Sequence, residues 1–240
     1  MRYALSLLLA ATCTLANALP AVVSGQGTWE TTLQGRDLDG DASTYEAYYD
    51  TVLNITWLAD ANYSKTSGYS EYGYMNWGVA KTWVAQLNIN GVTGWRLPDV
   101  KPLNGIGFNN SYSPAGTTDR GYNITSTQSE LAHLFHVTLG NDSYYNTSGS
   151  IPPSGWSSNN TGPFSNFQFG DLWYGVESAL DTREAWGFGT YNGYQGLYPK
   201  NYVFSAWAVR SGDVAVVPEP ESFALMGMGL AALMLRRRLS

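Results

Sequence analysis

An α+β domain is the fold class this sequence predicts, and three observations carry it. Two stretches show the three- and four-residue apolar spacing of amphipathic helices: Trp77, Ala80, Val84 and Leu87, then Leu131, Leu134, Phe135 and Leu139. The last third alternates as strands do, over residues 172–177, 185–191 and 204–210, with tight turns such as Asn192-Gly193 between them. Helices early and an antiparallel cluster late are segregated rather than interleaved, which is the α+β pattern. The expectation is two helices packed on an irregular antiparallel sheet.

Each element follows from local chemistry. Residues 28–33 read as a first strand, residues 35–41 as a turn-rich loop, and residues 47–50 and 54–58 as further strands. Residues 59–75 form a polar loop into the first helix. Asn76 is placed to cap that helix, because its side-chain oxygen can accept an orphan backbone N–H. Gly91 and Gly94 stop it and turn the chain into a short apolar strand, Trp95-Arg96-Leu97-Pro98. Periodicity is then lost over residues 99–125, which read as a long surface insertion. The second helix starts near Thr127, where Thr127 and Glu130 have capping-box spacing, and Gly140 ends it. Residues 141–170 form another loop.

The chain of 240 residues suits one domain with tails. Charged residues are 13% and aromatic residues 14%, a composition that suits an exported surface hydrogen-bonding through Asn, Ser, Thr and Tyr. The net charge of −6 includes Arg2, Arg236, Arg237 and Arg238 at the ends, so the middle is more acidic still. An acidic surface without a basic stripe excludes nucleic acid as the expected partner.

The N-terminus has the parts of a signal peptide: Arg2, apolar residues 4–15, and Ala16-Asn17-Ala18 as an A-x-A cleavage site. The sole cysteine, Cys13, lies inside it, behind an Ala10-Ala11-Thr12 lead-in that is poor for lipoprotein processing. Cleavage after Ala18 removes every cysteine, and with it disulfides and thiol chemistry. At the other end, Val217-Pro218-Glu219-Pro220-Glu221 is proline-broken, an apolar run follows over residues 223–235, and Arg236-Arg237-Arg238 closes it. The run is shorter than the ~20 residues that span a bilayer comfortably, yet the arginines give it a stop-transfer character. The expected division is residues 1–18 as signal, 19–44 as an N-terminal strand and loop region, 45–211 as the globular domain, and 212–240 as a sorting tail.

Pro218-Glu219-Pro220, a short hydrophobic helix and a terminal Arg cluster, in that order, resemble the PEP-CTERM sorting signal of Gram-negative bacteria. The resemblance implies Sec export, signal peptidase cleavage, transient inner-membrane anchoring, processing near the Pro-Glu-Pro by an exosortase, and company with extracellular polysaccharide and biofilm. The middle is similar to the Lcl C-terminal domain type. That likeness rests on Trp57-Leu58-Ala59-Asp60-Ala61-Asn62, Met75-Asn76-Trp77, Gly94-Trp95-Arg96-Leu97-Pro98, Ser129-Glu130-Leu131 and Ala206-Trp207-Ala208-Val209-Arg210. It implies a C-type-lectin-like, formylglycine-generating-enzyme-like domain. It implies no reaction, since the cysteines of the latter and the calcium-sugar motifs of the former are absent.

The candidate chemistry is sparse. Asp37, Asp39 and Asp41 alternate as calcium ligands would, although no EF-hand glycine or twelfth-position glutamate follows. Glu130, His133 and His136 lie one turn apart, without zinc-hydrolase order, and read as a surface pair of histidines beside a glutamate. Arg96 reads as a structural arginine, snorkelling or paired to an acid such as Asp60. Tyr191, Tyr194 and Tyr198 flank a turn, read as exposed, and are the candidates for sugar stacking. Trp173, Trp186 and Trp207 read as core. For a hydrolase, Glu177 could pair with Asp181 or Glu184, at a gap spacing alone cannot set. The sequons at Asn54, Asn62, Asn123 and Asn141 read as an Asn-rich surface. The reading that follows is an exported, non-enzymatic surface or matrix protein with no cofactor. A glycan-binding module is the alternative, and an extracellular hydrolase stands behind it.

Overall fold

The computed structural model describes residues 22–41, 43–152 and 154–214. The expected signal peptide, with Cys13, and the sorting residues Pro218, Glu219, Pro220, Arg236, Arg237 and Arg238 with their apolar helix lie outside the described residues. Among those described, no helix is long and apolar enough to cross a membrane.

The elements in chain order are α1 (Trp29–Thr32), β1 (Leu33–Arg36), β2 (Ala47–Asp50), β3 (Ile55–Leu58), α2 (Tyr63–Thr66), β4 (Tyr74–Met75), α3 (Trp77–Ala85), β5 (Trp95–Arg96), β6 (Tyr112–Ser113) and β7 (Arg120–Gly121). Then come α4 (Glu130–His133), a π-helical continuation (Leu134–Thr138), β8 (Asp171–Glu177), β9 (Glu184–Gly189), β10 (Tyr194–Pro199), β11 (Phe204–Ser205) and β12 (Val209–Ser211). The class is α+β. The single sheet with two helices is corrected, however: the described residues form two sheets, ordered β1-β2-β3-β12-β5 and β4-β11-β8-β9-β10-β7-β6. Most pairings are antiparallel, but β11 runs parallel to β8 and β6 parallel to β7.

Several local expectations change for identifiable reasons. Residues 28–33 are not a strand from the start: the Thr28 carbonyl accepts the N–H groups of Thr31 and Thr32, each at 3.0 Å, and closes a helical turn before β1 begins. The loop at 59–75 contains α2 and β4. The insertion at 99–125 is built into the sheet. Asp119, 1% exposed, holds it by accepting from the N–H groups of Leu103 (2.7 Å) and Asn109 (2.6 Å), and Gly121 pairs with Gln195. The strand read over 204–210 is two strands in two sheets, with Ala206-Trp207-Ala208 crossing between them.

Asn76 caps α3 as expected, accepting from Val79 N–H at 3.0 Å, a contact typically worth about 1 kcal/mol. Ala80 and Val84 are buried on that helix, and Trp83 joins them. The helix ends at Ala85, ahead of its glycines. Asn90 and Gly91, both left-handed (φ 50° and 87°), instead form the turn that bridges Ile89 to Val92. The capping box at Thr127 and Glu130 does not form: Ser129 is the N-cap residue, and the Glu130 carboxylate is drawn to Arg96. Leu131, Leu134, Phe135 and Leu139 are all buried as expected.

One continuous apolar cluster unites both sheets with α3 and the 130–138 helical segment. That segment touches both sheets. Ala132 N–H donates to Tyr174 Oη (3.2 Å) and Phe135 meets Phe188 (5.4 Å) on one side, while Glu130 reaches Arg96 of β5 on the other. Of the segments compared with the Lcl C-terminal type, three lie on the neighbouring strands β3, β12 and β5, while Met75-Asn76-Trp77 joins β4 to α3 and Ser129-Glu130-Leu131 opens α4. The asparagines of the sequons are largely internal. Asn62 and Asn141 are buried, and Asn123 spends its amide on the carbonyls of Pro114 and Tyr145 (2.6 and 2.8 Å). They are framework rather than an Asn-rich surface.

Candidate functional site

The β9–β10 hairpin presents an aromatic face. Along β10, Tyr194, Gly196 and Tyr198 point to one side, opposite Gly189, Gly187 and Ala185 of β9. Asp171 of β8 pairs with Gly189 and so joins that side, next to Trp173. Glycine makes the face flat: a Cβ at Gly196 would stand 2.5 Å from the ring of Tyr194, which lies across it. The sheet's opposite face turns Leu172, Tyr174, Phe188 and Gln195 into the core.

The three tyrosines singled out from sequence do share this region, but unequally. Tyr191 is exposed (37%) and pairs with exposed Phe169 (57%) at 6.4 Å. Tyr194 is half-buried. Its hydroxyl accepts from Arg120 Nε (2.9 Å), and its ring joins Tyr122 (5.1 Å), which in turn meets Tyr112 (6.2 Å) and Tyr145 (5.2 Å). Tyr198 is not exposed as expected: it packs edge-on against Phe204 (4.9 Å), which stacks on Trp173 (4.3 Å). Trp173, Trp186 and Trp207 are core, as read.

Sequence reasoning missed Asp171, Phe169 and Asn192. A Cβ placed on Gly189 would lie 3.1 Å from Asp171 Oδ1, 2.5 Å from Asn192 Oδ1 and 3.1 Å from the Tyr191 ring, so these groups converge over one glycine. Asp171 Oδ1 is buried and, among the described residues, has no hydrogen-bond partner. Burial pushes its carboxyl up to about 6. The only local signal was the glycine spacing of β9, which says nothing about a strand distant in sequence.

Nearby, His136 packs against Phe135 (4.8 Å) and Phe188 (6.2 Å), and burial pushes it down to about 4. The two shifts act on stability with opposite signs. Folded Asp171 keeps its proton to about pH 6 while the unfolded carboxyl releases it near 3.8, so its contribution is lost as pH rises between those values. Folded His136 stays neutral to about pH 4 while the unfolded ring protonates near 6.5, so its contribution is lost as pH falls through that window. Asp171→Asn should therefore gain stability relative to the wild type progressively from pH 4 to pH 6. Urea midpoints at pH 4, 5 and 6.5 check this, and a constant difference would refute it.

The other sequence candidates resolve into structure. Asp37, Asp39 and Glu46 bring carboxylate oxygens within 4.8 Å of one another, so the third member is Glu46 rather than Asp41. Such oxygens could hold a hard cation. They also cap the loop: Asp37 Oδ1 accepts from Asp39 and Gly40 N–H (3.1 and 2.6 Å), and Glu46 Oε2 from Leu38 N–H (2.8 Å). Asp41 turns away to Ser43. His133 and His136 are not a surface pair. His133 is buried with Nδ1 at the Thr125 carbonyl (2.7 Å), and His136 Nδ1 faces the Asn141 carbonyl (3.1 Å), so with Glu130 on Arg96 the three form no common ligand set.

Arg96 is structural, but its partner is Glu130 rather than Asp60: Nη1 and Nη2 each donate to that carboxylate at 2.8 Å. A cleft of about 320 Å³ beside it is lined by Lys81, Trp95, Arg96, Leu97, Asp99 and Gly175, with the guanidinium already committed. Glu177 is ion-paired to Lys200, and Arg183 holds Asp181 down to about 2. A carboxyl held down in this way lacks the raised proton affinity of a general acid, so Asp181 does not have it.

Comparison with known proteins bears on the tail. The model of the PEP-CTERM protein-sorting motif matches residues 216–238. This motif implies export and an exosortase as processing partner. No curated protein and no solved structure matches the chain.

Proposed function

We propose that this chain, carrying its sorting motif, is an exported, non-enzymatic protein of the cell surface or extracellular matrix that associates with exopolysaccharide and biofilm. The observation that carries the proposal is the motif at residues 216–238. The apolar run after Pro220 holds the precursor transiently in the inner membrane, and the signal peptide delivers it there by the Sec route and signal peptidase. Replacing Pro218, Glu219 and Pro220 with alanine should accumulate uncleaved, membrane-held precursor, read by immunoblot of membrane and medium fractions. Normal processing of that variant would sink the sorting reading.

The aromatic face supports a molecular role within it, adhesion to polysaccharide through the β9–β10 hairpin. Exposed Tyr191 and Phe169, with half-buried Tyr194 behind them, offer stacking surface rimmed by hydroxyl and amide groups. The C-type-lectin-like relationship of the Lcl C-terminal resemblance is part of the same proposal; three of its five segments lie on the neighbouring strands β3, β5 and β12. Replacing Tyr191 and Tyr194 together with alanine should release the processed protein from the producing cell's own polysaccharide. Undiminished retention would remove the adhesive role. The hydrolase reading recedes because Glu177 and Asp181 are held by Lys200 and Arg183.

A further inference from the structure

We propose that Asp171 is the hydrogen-bond acceptor at the centre of the sugar site on the tyrosine face, and that it selects a non-acidic sugar unit bearing a hydroxyl or ammonium donor. The inference rests on the polysaccharide-binding reading above and deepens it.

A buried acceptor without a donor is costly, on the order of 1–3 kcal/mol, and Asp171 Oδ1 is one. None of its neighbours among the described residues is placed as its donor. Over Gly189 it meets Asn192 Oδ1, a second acceptor whose own donor is Tyr194 N–H (3.0 Å), and the edge of the Tyr191 ring. Two acceptors and a ring edge make a place that a donor completes. The donor must come with an apolar flank, because the ring of exposed Tyr191 converges with the carboxyl over Gly189 and is paired with exposed Phe169 (6.4 Å). A pyranose has both: C–H faces that stack on aromatic rings and hydroxyls that donate at its edge. Tyr191 sits on a turn and is exposed, so its side chain can move aside to admit the ligand to Oδ1.

Charge then sets the class. A sugar carboxylate placed against Asp171 would bring like charges together in a half-buried setting, whereas a hydroxyl or an ammonium would not. The titratable groups facing Asp171 are the phenols of Tyr191 from the turn and Tyr198 from β10, which stay protonated at neutral pH. Binding of a neutral sugar should therefore follow the carboxyl alone and weaken as pH falls through about 6.

The test uses the processed protein as cells release it, with three immobilised probes: a neutral glucan, a partly deacetylated chitosan and a polyuronate. Wild type should bind the glucan or the chitosan, the stronger of the two telling hydroxyl from ammonium recognition, and should bind the polyuronate least. Asp171→Asn should weaken that binding at least tenfold and abolish its pH dependence, with an unchanged near-ultraviolet spectrum reporting the fold. Asp171→Glu should recover part of it. If Tyr191→Ala weakens binding while Asp171→Asn does not, adhesion stands and the role of Asp171 falls. Preference for the polyuronate overturns the selectivity. Failure of the wild type to bind any probe overturns the adhesive reading and this inference together.

Discussion

Trp207→Ala is expected to destabilise the domain by roughly 4 kcal/mol, within the 3–5 typical of large aromatic truncations in a core. Trp207 is 1% exposed and lies where the chain passes from one sheet to the other. Its ring meets Trp57 (5.0 Å), Phe164 (4.7 Å) and Phe167 (5.6 Å), and its Nε1 donates to the Leu58 carbonyl at 2.8 Å. Alanine opens a cavity among three aromatic rings and strands a buried carbonyl. For a body of this size the thermal midpoint should drop by roughly 10 °C. Val203→Ala, at a position 61% exposed, should move it by less than about 0.5 kcal/mol. Equal effects of the two variants would mean that the crossing residue is not the junction of the core.

Glu130→Ala comes next, at about 3 kcal/mol. The carboxylate side chain is 11% exposed and does three things: it binds Arg96 through both terminal nitrogens, accepts from Asp99 N–H at 2.6 Å, and so ties α4 to β5. Its removal leaves a guanidinium one-third exposed, with Ser211 and the Leu97 carbonyl as remaining partners. The double variant Arg96→Met with Glu130→Leu should recover much of the loss, because it takes away both charges and keeps volume. Chemical denaturation of the singles and the double gives the coupling directly. A Glu130→Ala cost below about 1 kcal/mol would place the pair with ordinary surface ion pairs.

These expectations show where the sequence was legible. Asn76 and the 77–84 face were readable because cap and stripe lie within eight residues of one another, and a helix satisfies its own hydrogen bonds. Strands β8 and β9 were read from the alternation of the last third, and β2 and β3 from short runs of strand-favouring residues between polar connections. Residues 204–210 were misread as one strand because a continuous buried run carries no mark of where it changes partners. The capping box at Thr127 failed because a charge partner distant in sequence outbid the local N–H for Glu130. The tyrosines of the candidate site were visible as an aromatic cluster, but which of them faced solvent was not. Tyr191 on its turn packs on exposed Phe169, whereas Tyr198 within β10 packs on Phe204, and that contact is made in three dimensions.

By itself, the sequence determined the sorting motif at residues 216–238, which implies export and an exosortase as processing partner, because that motif is a pattern of residue types along the chain. It also determined the α+β class and the helical faces, which are short-range periodicities. Tertiary structure alone decided that there are two sheets, that Arg96 belongs to Glu130, and that Asp171 stands beside Asn192 and Tyr191 with an acceptor unspent. Those outcomes depend on pairings between segments far apart in the chain, where burial of one group sets the proton affinity and hydrogen-bond demand of another, and no local pattern encodes that environment.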